Sequence, residues 1–274
     1  MKQHSALLGL PDELRTYGLN VVAMDGWDTA QGFYRWTLPD GSKSYDNPPS
    51  GVIFHGTAGT RSIPVVRNRL RVWSKAGAWV GLDDGNGTLY SSKVIGKLNR
   101  PTIYLTSAGP ARYSAGYGYR PVLGDMYNDI RPPLDAQGRD GLKAANRHTF
   151  NVENTHPNNG TPIDAGVFDH LVGLGVVLHR MFGWQERTLG HRSWTRRKPV
   201  DPWFTPGGLI GLQNRIQTEL GSELMPTQQW HQMIDALFLG RPDEFTGEAN
   251  YWKTLNPNSP EWADFWAAMV RVIS

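Results

Sequence analysis

The apolar positions of this chain change period several times, and each change marks an element. "GVIFHGTAG" holds an unbroken apolar run that ends in a histidine and a glycine-rich turn, which predicts a buried strand over Val52–His55. From 78 to 107 short apolar runs alternate with the Asp-Gly and Asn-Gly pairs of "AWVGLDDGNGTLYSS", which predicts a hairpin, and "TIYLTSAG" continues as a strand. "HTFNVEN" and "LNVVAM" read as further strands. In "DAGVFDHLVGLGVVLHRMF", residues 164–182, apolar residues occupy most faces, so a well-buried helix is expected. Over 64–76, Val66, Leu70 and Trp73 share one stripe with arginines opposite, the pattern of an amphipathic helix. "GGLIGLQNRIQTELG" predicts a helix stopped by Gly221. Residues 1–50 read as irregular and 110–147 as loop-rich.

The tail changes character. Trp230, Met233, Ile234, Leu237 and Phe238 form one helical stripe, closed by Gly240 and Pro242. Ser259 and Pro260 then open a second helix with Trp262, Phe265, Trp266, Met269 and Ile273 on its apolar side. A boundary near 222–226 divides a domain of residues 1–222, with an irregular extension over 1–50, from a small helical module of residues 223–274. That module packs on the main domain, binds a surface or self-associates; the sequence leaves these open, and the oligomeric state with them.

Composition narrows the class. Of 274 residues 39% are hydrophobic and 19% charged, as in a globular chain rather than a disordered one. A net charge of +3 excludes whole-molecule polyanion binding, so any basic effect is local and nucleic acid is not an expected partner. The absence of cysteine removes disulfides and thiolate ligands while leaving the compartment open. "ALLGL" is cut short by Pro11, Asp12 and Glu13, so no signal peptide is expected. No apolar run is read as a membrane span, and no membrane insertion is expected.

Candidate chemistry lies in the eight histidines. A catalytic zinc needs three protein ligands and an open position. His55 ends a strand just before Gly56, where a ligand would be held rigidly and approached freely, although a strand-end histidine is often structural. His191 and Asp201 cannot share a regular helix because Pro199 and Pro202 interrupt it. A loop between them can fold back and aim both side chains at one point, but on this segment alone the favoured reading is a solvated basic loop carrying Arg192, Arg196, Arg197 and Lys198. His170 and His179, nine apart on the predicted helix, point about 180° apart and serve packing or surface roles. His4, His156 and His231 have no second candidate ligand nearby.

"GVIFHGTAGT", "HTFNVEN" and "GHRSWTRRKPVDP", in that order, resemble the three signature segments of zinc-dependent type 2 N-acetylmuramoyl-L-alanine amidases, the class of phage endolysins and peptidoglycan-recognition proteins. The resemblance covers about residues 50–205 and implies a mixed central sheet flanked by helices, with a helical C-terminal appendage. It implies zinc ligands His55, His191 and Asp201, with Glu153 orienting or deprotonating the attacking water. Lys198 is the match to the family's carbonyl-polarising cation, but it lies three residues before Asp201 instead of two, and Arg197 is the alternative. Thr57, Tyr113, Tyr117 and Arg197 fall on the substrate side, although Tyr113 and Ser114 stand where lytic members often carry a histidine. The implied partner is bacterial peptidoglycan, cut between the muramic lactyl group and L-alanine. For an endolysin the implied location is the host cytoplasm, with the wall reached after holin-mediated release. A non-catalytic recognition module of the same fold and a cell-wall-recycling amidase are the alternatives.

Overall fold

The computed structural model describes residues 7–28, 36–37, 43–44, 48–56, 61–62, 77–86, 88–109, 115, 118–119, 121–135, 145–198 and 201–223. The chain forms two compact units, Met1–Ile216 and Gln217–Ser274, and nearly all described residues belong to the first. The amphipathic helix expected over 64–76 and the module expected over 223–274, apart from its first residue, lie outside the described residues.

The first unit is built on a mixed eight-stranded sheet. Its spine runs β1 (Val21–Ala23), β8 (Arg100–Leu105), β6 (Ala78–Asp83), β9 (Thr149–Asn154), β4 (Gly51–Gly56), β10 (Thr188–Gly190). β7 (Thr88–Tyr90) pairs antiparallel with β6 and with β5 (Arg61–Ser62), while β2 (Trp36–Thr37) and β3 (Lys43–Ser44) make a separate ribbon. β6 and β8 are antiparallel; β4 is parallel to both β9 and β10. The first five residues of β4 are all buried, as a strand covered on both faces requires. The mixed sheet flanked by helices is the architecture expected from the sequence, and the predicted strands and hairpin are present.

Alternation along β4 divides its side chains between two layers. Phe54 faces the long helix: a side chain built at Gly175 would touch its ring at 3.7 Å. Ile53 faces the other way, into a cluster with Val122, Leu123, Met126, Leu189 and Trp194. His55, two residues beyond Ile53, therefore leaves the sheet on that second face, at the end of the strand.

The helices follow local chemistry. α1 (Leu10–Thr16) has a proline in its first turn, Asp12 and Glu13 at its positive end, and Leu10 and Leu14 buried. α2 (Pro121–Tyr127) buries Val122, Leu123 and Met126, and α3 (Ala145–His148) leads into β9. α4 (Ala165–Phe182) starts where the Asp164 carboxylate accepts the Gly166 and Val167 amides and stops at Gly183 in the left-handed region, φ 65°. α5 (His191–Trp194) is one turn, and α6 is Gly208–Glu223.

Three expectations are corrected. Residues 1–50 contain α1 and 110–147 contain α2, helices of seven residues each, too short to display a helical period. α6 continues two residues past Gly221, which is absent from the positive-φ glycines; glycine ends a helix when it turns left-handed, and here it does not. Ala165–Phe182 is also long and apolar enough to cross a membrane by length and composition, against the expectation that no run is. Eleven of its residues are buried, and it serves as the helix over the sheet.

Candidate metal centre

β4 delivers His55, the start of α5 delivers His191, and the turn after Lys198 delivers Asp201. β10 is parallel to β4, with Gly190 in register with Phe54, so His191 emerges beside the end of β4. The chain then makes one helical turn and folds back: the Arg192 amide donates to the Asp201 carbonyl at 2.7 Å, and the Asp201 amide to the Lys198 carbonyl at 3.2 Å. Pro202, where no helix could continue, thus directly follows a return of the chain on itself.

One potential ligand atom from each of His55, His191 and Asp201 lies within 4.8 Å of the others, and all three residues are buried. No other such group of histidines and carboxylates occurs among the described residues. His191 Nδ1 is 3.0 Å from Asp201 Oδ2, and the rings of His55 and His191 meet edge to face at 4.5 Å between centroids.

Burial, with the neighbouring His191 charge adding to it, pushes the His55 pKa down to about 3, so this imidazole is neutral at physiological pH and offers a lone pair. Burial alone would raise the Asp201 carboxyl. The hydrogen bond to His191, the His191 charge and the Gly56 amide outweigh it and hold the group below its ordinary value, hence ionised. Two imidazoles and a carboxylate, buried and converging, form a nitrogen–oxygen donor set of the kind that suits zinc.

Glu153 is half-buried on β9 and stands in register with His55 on one side and Trp79 on the other. Laterally paired residues share a face, so Glu153 leaves the sheet on the side of His55. Lys198 is exposed, and its charge is felt at His55, where it opposes protonation. Arg197 is exposed, with its amide bonded to Thr195 Oγ1 at 3.2 Å. Thr57, Tyr113 and Tyr117 lie outside the described residues. Arg192, counted among the cluster of cations, is engaged by Asp135 through Nε at 2.8 Å.

The remaining described histidines have local partners. His170 bonds the Gly166 carbonyl and the Asn20 amide, His179 meets Thr188 Oγ1 at 2.9 Å, and His148 meets the Tyr127 hydroxyl. His156 accepts the Asn158 amide on Nδ1 and meets the Thr161 carbonyl through Nε2, both at 3.0 Å.

Residues that the sequence did not single out surround the three. Asn151 Oδ1 lies 3.1 Å from His55 Nε2, and Asn154 Nδ2 donates to the His55 carbonyl at 2.7 Å. The Gly56 amide and Asn158 Nδ2 both donate to Asp201 Oδ1, at 2.7 and 3.1 Å. Asn151 and Asn154 sit within "HTFNVEN", where period-two alternation puts Asn151 on the face of Glu153; that was the one readable signal.

No protein-family model and no curated protein matches the chain. Among solved structures it is similar to the endolysine N-acetylmuramoyl-L-alanine amidase LysCS from Clostridium intestinale URNW, at 15% identity and TM-score 0.39, covering 72% of this chain and 95% of that one. It is similar also to the Ph2119 endolysin from Thermus scotoductus MAT2119 bacteriophage Ph2119, at 14% identity and TM-score 0.37, covering 72% and 99%. A Se-Met AmpD derivative matches at 11% identity and TM-score 0.39, covering 72% and 93%. At these identities and TM-scores the likenesses carry no argument about activity.

Proposed function

We propose that this chain is a zinc-dependent N-acetylmuramoyl-L-alanine amidase of the endolysin type, hydrolysing the amide between the lactyl group of muramic acid and L-alanine in peptidoglycan. The observation that carries the reading is the convergence of buried His55, His191 and Asp201 from three separated segments, with Glu153 in register beside His55. The three motifs that suggested these residues in the sequence supply the reaction class.

His55, His191 and Asp201 would hold the ion. Bound zinc supplies a Lewis acid and lowers the pKa of water from about 15.7 toward about 7. In this reading Glu153 takes the proton of the water that attacks the carbonyl carbon and returns one to the departing amine of L-alanine. Lys198, or Arg197 beside it, places positive charge near the carbonyl oxygen as it becomes an oxyanion. Thr57, Tyr113, Tyr117 and Arg197 contact the glycan and the stem peptide. The endolysin setting, with the enzyme held in the host cytoplasm until a holin lesion opens the way to the wall, belongs to the same proposal.

The test is digestion of purified peptidoglycan with and without a chelator, followed by mass spectrometry of the fragments. The expected products are stem peptides with a free L-alanine amine and glycan strands with a free lactyl carboxylate, and the reaction should stop in chelator. Clearing that continues in chelator, or a different broken bond, overturns the proposal. Comparing intact sacculi with soluble muropeptides separates an endolysin from a recycling amidase, which would favour the soluble fragments.

A further inference from the structure

Each of the three converging side chains has two polar atoms that a cation can meet, and the structure engages one of each pair from outside. His55 Nε2 faces Asn151 Oδ1 at 3.1 Å. The Asn151 amide has a fixed orientation, because its Nδ2 donates to the Thr149 carbonyl at 2.8 Å and a carbonyl only accepts. Nε2 of His55 therefore carries the hydrogen, and the lone pair is on Nδ1. His191 Nε2 stands 3.2 Å from the Ala115 carbonyl, which can only accept, and its Nδ1 is turned toward Asp201 Oδ2.

Asp201 is treated in the same way. Oδ1 receives two donors, the Gly56 amide and Asn158 Nδ2, which leaves Oδ2 as the atom aimed at His191. The Asn158 amide is oriented by the Trp203 amide, which donates to its Oδ1 at 3.1 Å. Two further features fit asparagine at 158. Its φ is 56°, in the left-handed region that asparagine and glycine tolerate best. Its carboxamide also occupies the space that a Cβ at residue 56 would need, which Gly56 leaves open.

We infer that Asn151 and Asn158 are positioning residues that fix the donor atoms of the site, holding Nδ1 of His55 and Oδ2 of Asp201 ready for one shared divalent cation. The inference rests on the metal-site reading above. It specifies which atom of each ligand is presented and names the two side chains that select it. His191 Nδ1 and Asp201 Oδ2 stand 3.0 Å apart across the hydrogen bond that His191 donates, and a divalent cation would take the place of that hydrogen. Supporting hydrogen bonds of this kind orient metal ligands, and their loss weakens binding about 10–100-fold.

The experiment uses the full-length chain. Zinc affinity is measured by competition with a chromophoric chelator for the wild type, Asn151→Val, Asn158→Gly and His191→Ala. Ring nitrogen shifts are recorded by NMR for the metal-free proteins. Asn158→Gly keeps the positive φ without strain, and valine suits a buried strand. If Asn151→Val does not fold, Asn151→Thr keeps the strand and nearly the volume while lacking the carboxamide oxygen.

The wild type should bind one zinc ion, both asparagine variants should bind it about 10–100-fold more weakly, and His191→Ala should lose it. In the metal-free wild type His55 should show the Nε2–H tautomer. Asn151→Val should release that tautomer and leave His191 unchanged, and Asn158→Gly should leave it intact despite the weaker binding. Variants that bind zinc as tightly as the wild type overturn the inference, as does an unchanged His55 tautomer in Asn151→Val. A wild type that binds no zinc overturns the metal reading instead, and the tautomer spectra then still decide whether Asn151 holds the ring.

Discussion

At the scale of single residues, burial sets the protonation states on which the site depends. His55 stays neutral because charging it inside the protein is costly, and Asp201 stays ionised because its partners outweigh the same cost. His179 shows this effect away from the site: burial pushes its pKa down to about 4, below the ordinary 6.5. The unfolded chain binds a proton near 6.5 and the folded chain only near 4. Between those values the unfolded state holds more protons, so this contribution to stability is complete above pH 6.5 and shrinks as pH falls toward 4. His179→Gln should therefore lose less stability than the wild type between pH 7.5 and 4.5, a difference of roughly 2–3 kcal/mol in urea unfolding of the metal-free protein. Equal losses would mean that another group governs the acid limb. At the site, Glu153→Gln should lower kcat by about 10²–10⁴-fold with zinc affinity retained. Retained kcat would reduce Glu153 to a charge at the strand edge. The convergence of His55, His191 and Asp201 was legible through short motifs: His55 lies near the end of β4, His191 follows β10, and Asp201 closes the turn that begins at Lys198. Asn158 was not, because its partners Asp201 and Trp203 are brought to it only by the folded turn.

At the scale of elements, legibility follows length. α4 has 18 residues and a side chain that caps it, so its pattern stands out; α1 and α2 have seven each, and their few apolar residues pass for loop composition. In α1, Pro11, Asp12 and Glu13 were read as the end of an apolar run, and they are the first turn of a helix. Proline lacks an amide hydrogen and acids favour the positive helix end, so the same residues that stop one pattern begin another. The β strands were legible because their runs are apolar or alternating and are bounded by Gly, Asn and Asp. Asp164, whose carboxylate takes two amides at the start of α4, offers a test: Asp164→Ala should reduce the unfolding free energy by about 1 kcal/mol in urea, with the slope unchanged. No loss would assign the start of α4 to packing of its apolar face and not to the cap.

At the scale of the whole molecule, the question is how much of the chain the site needs. The three converging residues and their asparagine partners all lie within the unit Met1–Ile216. α6 crosses the division between the units, but its part within the first unit is tied to the sheet and to α4: Gln213 Nε2 donates to the Thr188 carbonyl at 2.8 Å, and the end of the Ile216 side chain lies where a side chain at Gly175 would reach. Thr188 opens β10, the strand that leads directly to His191, so the early part of α6 supports a ligand and cannot be spared. Residues beyond 223 lie outside the described residues. Because all the site residues lie within the first unit, a chain ending at Glu223 should unfold cooperatively, bind zinc with the full-length affinity and cleave soluble muropeptides with the full-length kcat. Insoluble walls then report on the tail. Activity on sacculi that falls while activity on soluble fragments holds makes residues 224–274 a wall-binding module. Equal activity on both leaves them a packing or self-association role, which sedimentation of the two chains distinguishes. A truncated chain that neither folds nor binds zinc would show that the site depends on the second unit, and the division near residue 222 would then not mark an independent domain.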